Sequence, residues 1–224
     1  MPAPPPIEAV VFDMDGVLVD TEHLWDAVRE ALTEEWGGRY TPEAQEAMMG
    51  MSSVEWSRYL HETVGLREPP EVINDEVVRR MLARYETDLP VVPGAVEAVR
   101  RAADAGLLLA VASSSNRELI DAVLARLGLT ELFHVTVSSE EVERGKPAPD
   151  VYLEAARRLG VEPARCIAIE DSASGIRAAH AAGMRVIAYP NRHYPPAADV
   201  LALADVVVEA LFEVGALFDE SAAP

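Results

Sequence analysis

Ala9-Val10-Val11-Phe12-Asp13-Met14-Asp15-Gly16 joins four apolar residues to two carboxylates and a glycine. Its apolar half recurs along the chain. Leu107–Ala112, Val135–Val137, Cys166–Ile169, Val186–Ala188 and Val206–Val208 are further short apolar runs without clean alternation, most of them rich in β-branched residues. That pattern predicts strands covered on both faces, as in a parallel sheet. Between the runs, Leu119, Ile120, Val123, Leu124 and Leu127 fall at helical spacing before Gly128. Val96, Val99 and Ala103 do so before Gly106, and Tyr152, Ala155, Ala156 and Leu159 before Gly160, each glycine suiting the left-handed end of a helix. Strand and helix in alternation predict an α/β fold, a Rossmann-like parallel sheet with helices on both faces.

Residues 20–90 break the alternation. Leu24, Val28, Ala31 and Leu32 form one helical stripe; Thr41-Pro42 starts a second helix that Gly50 ends. Ser52-Ser53-Val54-Glu55 reads as a capping box before Trp56, Leu60 and Val64, and Val77, Val78, Met81, Leu82 and Tyr85 make a last stripe. An all-helical insertion after the first strand is expected to form its own small domain. The core domain would then be residues 1–19 and 91–224, with hinges at Gly16–Asp20 and Asp88–Pro93.

Composition bounds the function. Of 224 residues half are apolar, enough for a real core, and 38 acidic residues against 19 basic ones give a net charge of −19. Such a charge repels phosphate backbones and anionic membranes, so no nucleic-acid or membrane partner is expected. No apolar run approaches the ~20 residues of a membrane span. Met1–Pro6 lacks the pattern of a signal peptide and should fray. A lone cysteine, Cys166, suits a reducing compartment, so a cytoplasmic location is expected; no protein partner is implied.

Ligands of an open parallel sheet bind beyond the carboxyl ends of its strands. After the first strand stand Asp13, Asp15 and Gly16; after the second, Ser113-Ser114-Ser115-Asn116; beyond the third, Gly145-Lys146-Pro147; after the fourth, Glu170-Asp171-Ser172. Asp13, Asp171 and a backbone carbonyl would suit Mg²⁺, and Lys146, the sole lysine, would add a cation for a phosphoryl group. One carboxylate could then attack phosphorus while a second serves as acid and base.

In order and spacing, Asp13-Met14-Asp15-Gly16-Val17, Ser113, Lys146-Pro147 and Glu170-Asp171-Ser172 resemble the four motifs of the haloacid dehalogenase superfamily, over nearly the whole chain. The helical insertion resembles the cap of the branch holding β-phosphoglucomutase and the small sugar-phosphate phosphatases. The resemblance implies Asp13 as nucleophile and Mg²⁺ ligand, and Asp15 as general acid/base whose carbonyl also binds the metal. It implies Ser113, Ser114 and Lys146 as phosphate binders, Asp171 as a metal ligand and Glu170 as its support.

Within the family, Asp15 argues for phosphoryl transfer over dehalogenation, and the lack of any lysine in residues 20–90 excludes the Schiff-base phosphonatases. Asp20-Thr21-Glu22-His23-Leu24-Trp25 resembles the phosphatases of hexose and hexitol phosphates, with Thr21 and Trp25 as candidate substrate contacts. The alternative is a mutase of the β-phosphoglucomutase type, but Trp25 and Ser53 stand where its pattern has His and Arg; a mutase would need another residue of the insertion, such as Arg58 or Arg84, in the arginine's place. A phospho-receiver domain is the competing class, and the chain's length, the early place of Asp13 and the insertion all argue against it. His23 could face the site; His61, His134, His180 and His193 lack metal-ligand spacing, and Trp36 and Cys166 read as core. The expected activity is Mg²⁺-dependent hydrolysis of small phosphomonoesters through an aspartyl-phosphate.

Overall fold

The computed structural model describes residues 5–192, 194–215 and 218. The expected fraying of Met1–Pro6 therefore lies largely, and His193 wholly, outside the described residues. Six strands run parallel: β1 (Ala9–Phe12), β2 (Leu108–Ser113), β3 (Val135–Ser138), β4 (Cys166–Glu170), β5 (Arg185–Ala188) and β6 (Val206–Val207). Their order in the sheet is β3-β2-β1-β4-β5-β6. The order reverses at β1, whose neighbours are β2 and β4; a crevice at its carboxyl end follows. Helices α1 (Glu22–Glu35), α2 (Pro42–Met48), α3 (Ser53–Tyr59) and α4 (Pro70–Thr87) fill the insertion. After it come α5 (Ala95–Asp104), α6 (Arg117–Leu127), α7 (Asp150–Leu159), α8 (Ala173–Ala181) and α9 (Ala198–Leu201).

The two sheet faces differ in side-chain size. Val10, Phe12, Leu109, Val111, Ile167 and Ile169 point into a cluster shared with the buried apolar residues of α1–α6. Ala9, Ala110, Ala112, Ala168 and Ala188 cover the opposite face, where small residues leave room for α7 and α8 and the ring of Tyr152. Valines lie on both faces, among them Val11, Val137 and Val186 on this one, but the alanines gather here and the bulkier residues opposite, both sides being buried.

The insertion begins and ends side by side. The Asp20 N–H donates to Pro90 O at 2.8 Å and the Val92 N–H to Leu18 O at 3.1 Å, pairing the two crossing segments. Within it, the Ser52–Glu55 capping box is formed, the Glu55 carboxylate accepting from the Ser52 N–H at 2.8 Å. Two expectations change. Trp56, Leu60 and Val64 do not share one α-helix: α3 passes into a π-helical turn, Leu60–Val64, that ends at Gly65. In α1 the buried face takes in Arg29 and Thr33 beside Leu24, Val28 and Leu32, and leaves Ala31 exposed. The packed face is rotated toward Trp25, so Ala31 falls just outside it while Arg29 lies within.

Candidate active site

All strands of a parallel sheet end on one edge, and that edge collects the polar groups that follow them. Asp13 extends β1 by one more ladder bond, its N–H donating to Ile169 O at 3.0 Å, so its side chain emerges beside the end of β4. There the Lys146 ammonium donates to Asp13 Oδ1 at 2.6 Å and to Glu170 Oε1 at 2.6 Å. All three residues are buried.

Glu170 is fully committed. Besides Lys146 it accepts from the Tyr152 hydroxyl at 2.6 Å, the Asp171 N–H at 3.1 Å, the Ser172 N–H at 3.3 Å and the Ser172 hydroxyl at 3.2 Å. A carboxylate offers about four lone-pair sites, so these donors saturate it. Its work is to hold Lys146 against Asp13. Gly175 permits this, since a Cβ there would lie 1.8 Å from Glu170 Oε1.

The electrostatics are those of crowded acids. Burial pushes Asp13 up to about 8, Lys146 opposing the rise and Glu170 adding to it. Asp171 is also held well above the usual carboxylate range, by burial first and then by the charges of Glu170 and Asp13. For Lys146 burial works against the charge, but Asp13 and Glu170 outweigh it and keep the ammonium above its ordinary value. With all three carboxylates ionised, one ammonium would leave two negative charges uncompensated, which, with burial, is why the crowded acids hold on to their protons.

Carboxylate oxygens of Asp13, Glu170 and Asp171 lie within 4.8 Å of one another. Asp171 Oδ2 accepts from Asn191 Nδ2 at 2.9 Å, whereas Asp171 Oδ1 is buried without a hydrogen-bond partner among the described residues. Gly16 lies against it: its φ is +89°, and a Cβ would sit 2.0 Å from Asp171 Oδ2. An orphaned carboxylate oxygen in an acidic cluster fits a hard cation with oxygen ligands.

Asp15 stands apart from that cluster and is held from both sides. Trp25 Nε1 donates to Asp15 Oδ1 at 3.3 Å, the Thr21 hydroxyl donates to the same oxygen, and the Ser115 hydroxyl donates to Oδ2 at 2.7 Å. Thr21, the N-cap of α1, and Trp25, four residues on, share one side of the helix start and carry the insertion onto the sheet edge. Ser113 closes β2, its hydroxyl accepting from the Ser115 N–H at 3.0 Å. With Ser114, Asp13, Asp15 and Lys146 it lines a cavity of about 400 Å³ between insertion and sheet.

The sequence-predicted groups therefore meet at one place, and four others join them unannounced. Ser115 sits inside the quoted serine run, so that run was its signal. Asn191 is three residues past β5, on the same edge. Tyr152 reads in sequence as an apolar helix position and gives no sign of its hydroxyl's task. Arg29 reads as one of eighteen arginines. Of the other candidates, His23 is exposed and not among the cavity-lining residues. Arg58 and Arg84 are exposed as well, so neither stands in for a mutase arginine. His61 Nδ1 lies 3.0 Å from Leu66 O, a local bond, and His134 Nδ1 accepts from the Leu109 N–H of β2 at 3.2 Å.

A sequence model described as haloacid dehalogenase-like hydrolase matches residues 7–183. The chain belongs to that family. Within the haloacid dehalogenase-like hydrolases it is 35% identical to hexitol phosphatase B of Escherichia coli K12, over 96% of this chain and 98% of that protein. It is 35% identical to a phosphorylated carbohydrates phosphatase of Thermotoga maritima, over 81% and 84% of the two chains. Among solved structures it is similar to a putative β-phosphoglucomutase of Thermotoga maritima, with a TM-score of 0.74, 30% identity and 96% and 99% coverage.

Proposed function

We propose that this haloacid dehalogenase-like hydrolase is a Mg²⁺-dependent phosphatase of hexose or polyol monophosphates, with residues 1–19 and 91–224 as its catalytic core and 20–90 as its cap. The observation that carries the reading is the division of labour between two carboxylates in one cavity. Asp13 is gripped by Lys146 at 2.6 Å, while Asp15, two residues on, is aimed by Thr21, Trp25 and Ser115. The phosphatase names of the two relatives support the reaction, and their named substrates the class of ester.

In the first half-reaction Asp13 Oδ attacks phosphorus, the ester P–O bond breaks, and the Asp15 carboxyl gives its proton to the departing alkoxide. In the second, Asp15 takes a proton from water as that water attacks the aspartyl-phosphate. The P–O bond to Asp13 breaks and inorganic phosphate leaves. Lys146, Ser113 and Ser114 hold the phosphoryl oxygens. Asp13, Asp171 and the Asp15 carbonyl would hold Mg²⁺, which supplies neutralising charge for the phosphoryl group. Glu170 fixes Lys146.

The test is release of phosphate from p-nitrophenyl phosphate and from hexitol and hexose phosphates, with and without Mg²⁺. The Asp13→Asn variant, nearly isosteric but not nucleophilic, should lose several orders of magnitude in rate. Retention of more than about a tenth of the wild-type rate would refute the assignment of the nucleophile. With β-glucose 1-phosphate and a trace of its 1,6-bisphosphate, phosphate should appear faster than glucose 6-phosphate. The reverse order would make the protein a mutase.

A further inference from the structure

Arg29 occupies a place that disfavours a guanidinium. It is 7% exposed, in the second turn of α1, yet it lines the cavity and is the one arginine among the described residues that does so. The guanidinium carbon lies 4.7 Å from the centroid of Trp25 and 4.9 Å from that of Trp56, two rings that meet edge to face at 6.0 Å. Indole faces attract the charge and fix the plane of the fork. They do not satisfy its donors. Nε is buried without a hydrogen-bond partner, and among the described residues no carboxylate lies within ion-pair distance. Buried donors left unpaired are rare and costly, and here the unpaired guanidinium belongs to a residue that lines the cavity, so a cavity ligand could reach its fork.

The same indole that stacks on Arg29 donates to Asp15. Arg29 is thus one ring away from the group that protonates the leaving oxygen, on the side of the cavity formed by the insertion. We propose that Arg29 is a specificity-determining residue that donates hydrogen bonds to hydroxyls on the alcohol part of the substrate, beyond the scissile phosphate. This deepens the phosphatase reading and rests on it.

Charge decides between a hydroxyl and a second anion. Asp26 and Glu22 line the same part of the cavity, and with Asp15 they are the carboxylates whose charge Arg29 feels. Asp26 accepts from the Tyr40 hydroxyl at 3.3 Å and from Gln45, and its charge acts on Arg29 without an ion pair between them. One guanidinium among three carboxylates is a poor host for another phosphate or carboxylate. Its fork is well suited to neighbouring hydroxyls, which accept from it and can donate to the acids around it. The alcohol is therefore a neutral polyhydroxylated chain or ring.

The test compares kcat/KM for a hexitol 6-phosphate and for p-nitrophenyl phosphate, whose leaving group has no hydroxyls beyond the ester oxygen. Arg29→Met keeps a stem between the indoles and removes the donors. It should lower kcat/KM for the hexitol phosphate roughly ten- to a hundredfold, mainly through KM, the loss expected for a charged hydrogen bond. The aryl ester should change by less than about threefold. Arg29→Lys should recover only part of the loss, because an ammonium lacks the planar fork. Equal losses on both esters would make Arg29 merely structural and overturn the proposal, as would no loss on either. So would a loss confined to a hexose bisphosphate, which would make it an anion site. A wild-type protein inert toward both esters would instead remove the phosphatase reading, and this inference with it.

Discussion

At the scale of single residues, Lys146 links the two tasks of the site. Among the described residues its ammonium is the one cation in contact with Asp13, and Glu170 keeps it there although both are out of water. Removing it leaves buried carboxylates facing one another without compensation and, on the proposed function, takes away a donor for the phosphoryl oxygens. Lys146→Ala should therefore lower kcat by roughly 10²–10³. Lys146→Arg should restore little, since a planar fork cannot replace a compact charge 2.6 Å from two carboxylates at once. Steady-state kinetics on an aryl phosphate decide the matter: near-normal turnover of the alanine variant would take Lys146 out of the site. No other ε-amine competes in chemical labelling of this residue, because no other lysine exists.

At the scale of elements, the turn from β1 into α1 does the assembling. The Met14 carbonyl accepts from the N–H groups of Val17, Leu18 and Val19 at 2.8–3.3 Å, and the Gly16 N–H donates to Val19 O at 2.7 Å. That turn reverses the chain sharply enough to bring Thr21 and Trp25 back over Asp15. It needs a left-handed residue at Gly16, with no side chain, because Asp171 lies where a Cβ would go. Gly16→Ala should destabilise the fold by about 1–3 kcal/mol through backbone strain, and displace Asp171 as well. Urea titration would read the first effect. The apparent affinity for Mg²⁺ in the phosphatase assay would read the second and should fall, as it should in Asp171→Asn; an unchanged affinity in Asp171→Asn would show that Asp171 holds no cation.

At the scale of the whole molecule, the buried acids set a pH dependence in the metal-free protein. Asp13 and Asp171 keep their protons in the folded state well above the ordinary carboxylate range, Asp13 up to about 8. Unfolded, they ionise near ~4. Between those limits the folded chain binds more protons than the unfolded one, so its stability falls as pH rises, by at most ~1.4 kcal/mol per pH unit for each group. Glu76 and Glu154, held near about 2 by their arginine partners, act in the opposite sense but only at lower pH. Melting temperatures measured in chelator should therefore drop from pH 5 to pH 8. Added Mg²⁺ should restore stability most at the alkaline end, and Asp13→Asn should flatten the chelator curve. A flat wild-type curve in chelator would refute the coupling.

The order of the strands' polar endings, the alternation that makes the sheet parallel, the all-helical character of residues 20–90 and the capping box at Ser52 are local facts. Period, caps and short-range spacing encode them, and they determined from sequence that Asp13, Ser113, Lys146, Glu170 and Asp171 would reach one edge. What needed the tertiary structure was orientation across elements. The register of β1 on β4 brings Asp13 beside Glu170. The alanine face of the sheet lets Tyr152 reach the same carboxylate. The phase of α1 rolls Arg29 inward and Ala31 outward, against their polarity. Polarity within α1 cannot foretell that choice, because the gain comes from two indoles and an acidic cavity contributed by α3, the turn after β1 and α1 itself. Local sequence rules register only neighbours along the chain, whereas a guanidinium is sorted into a core by what the folded chain places around it.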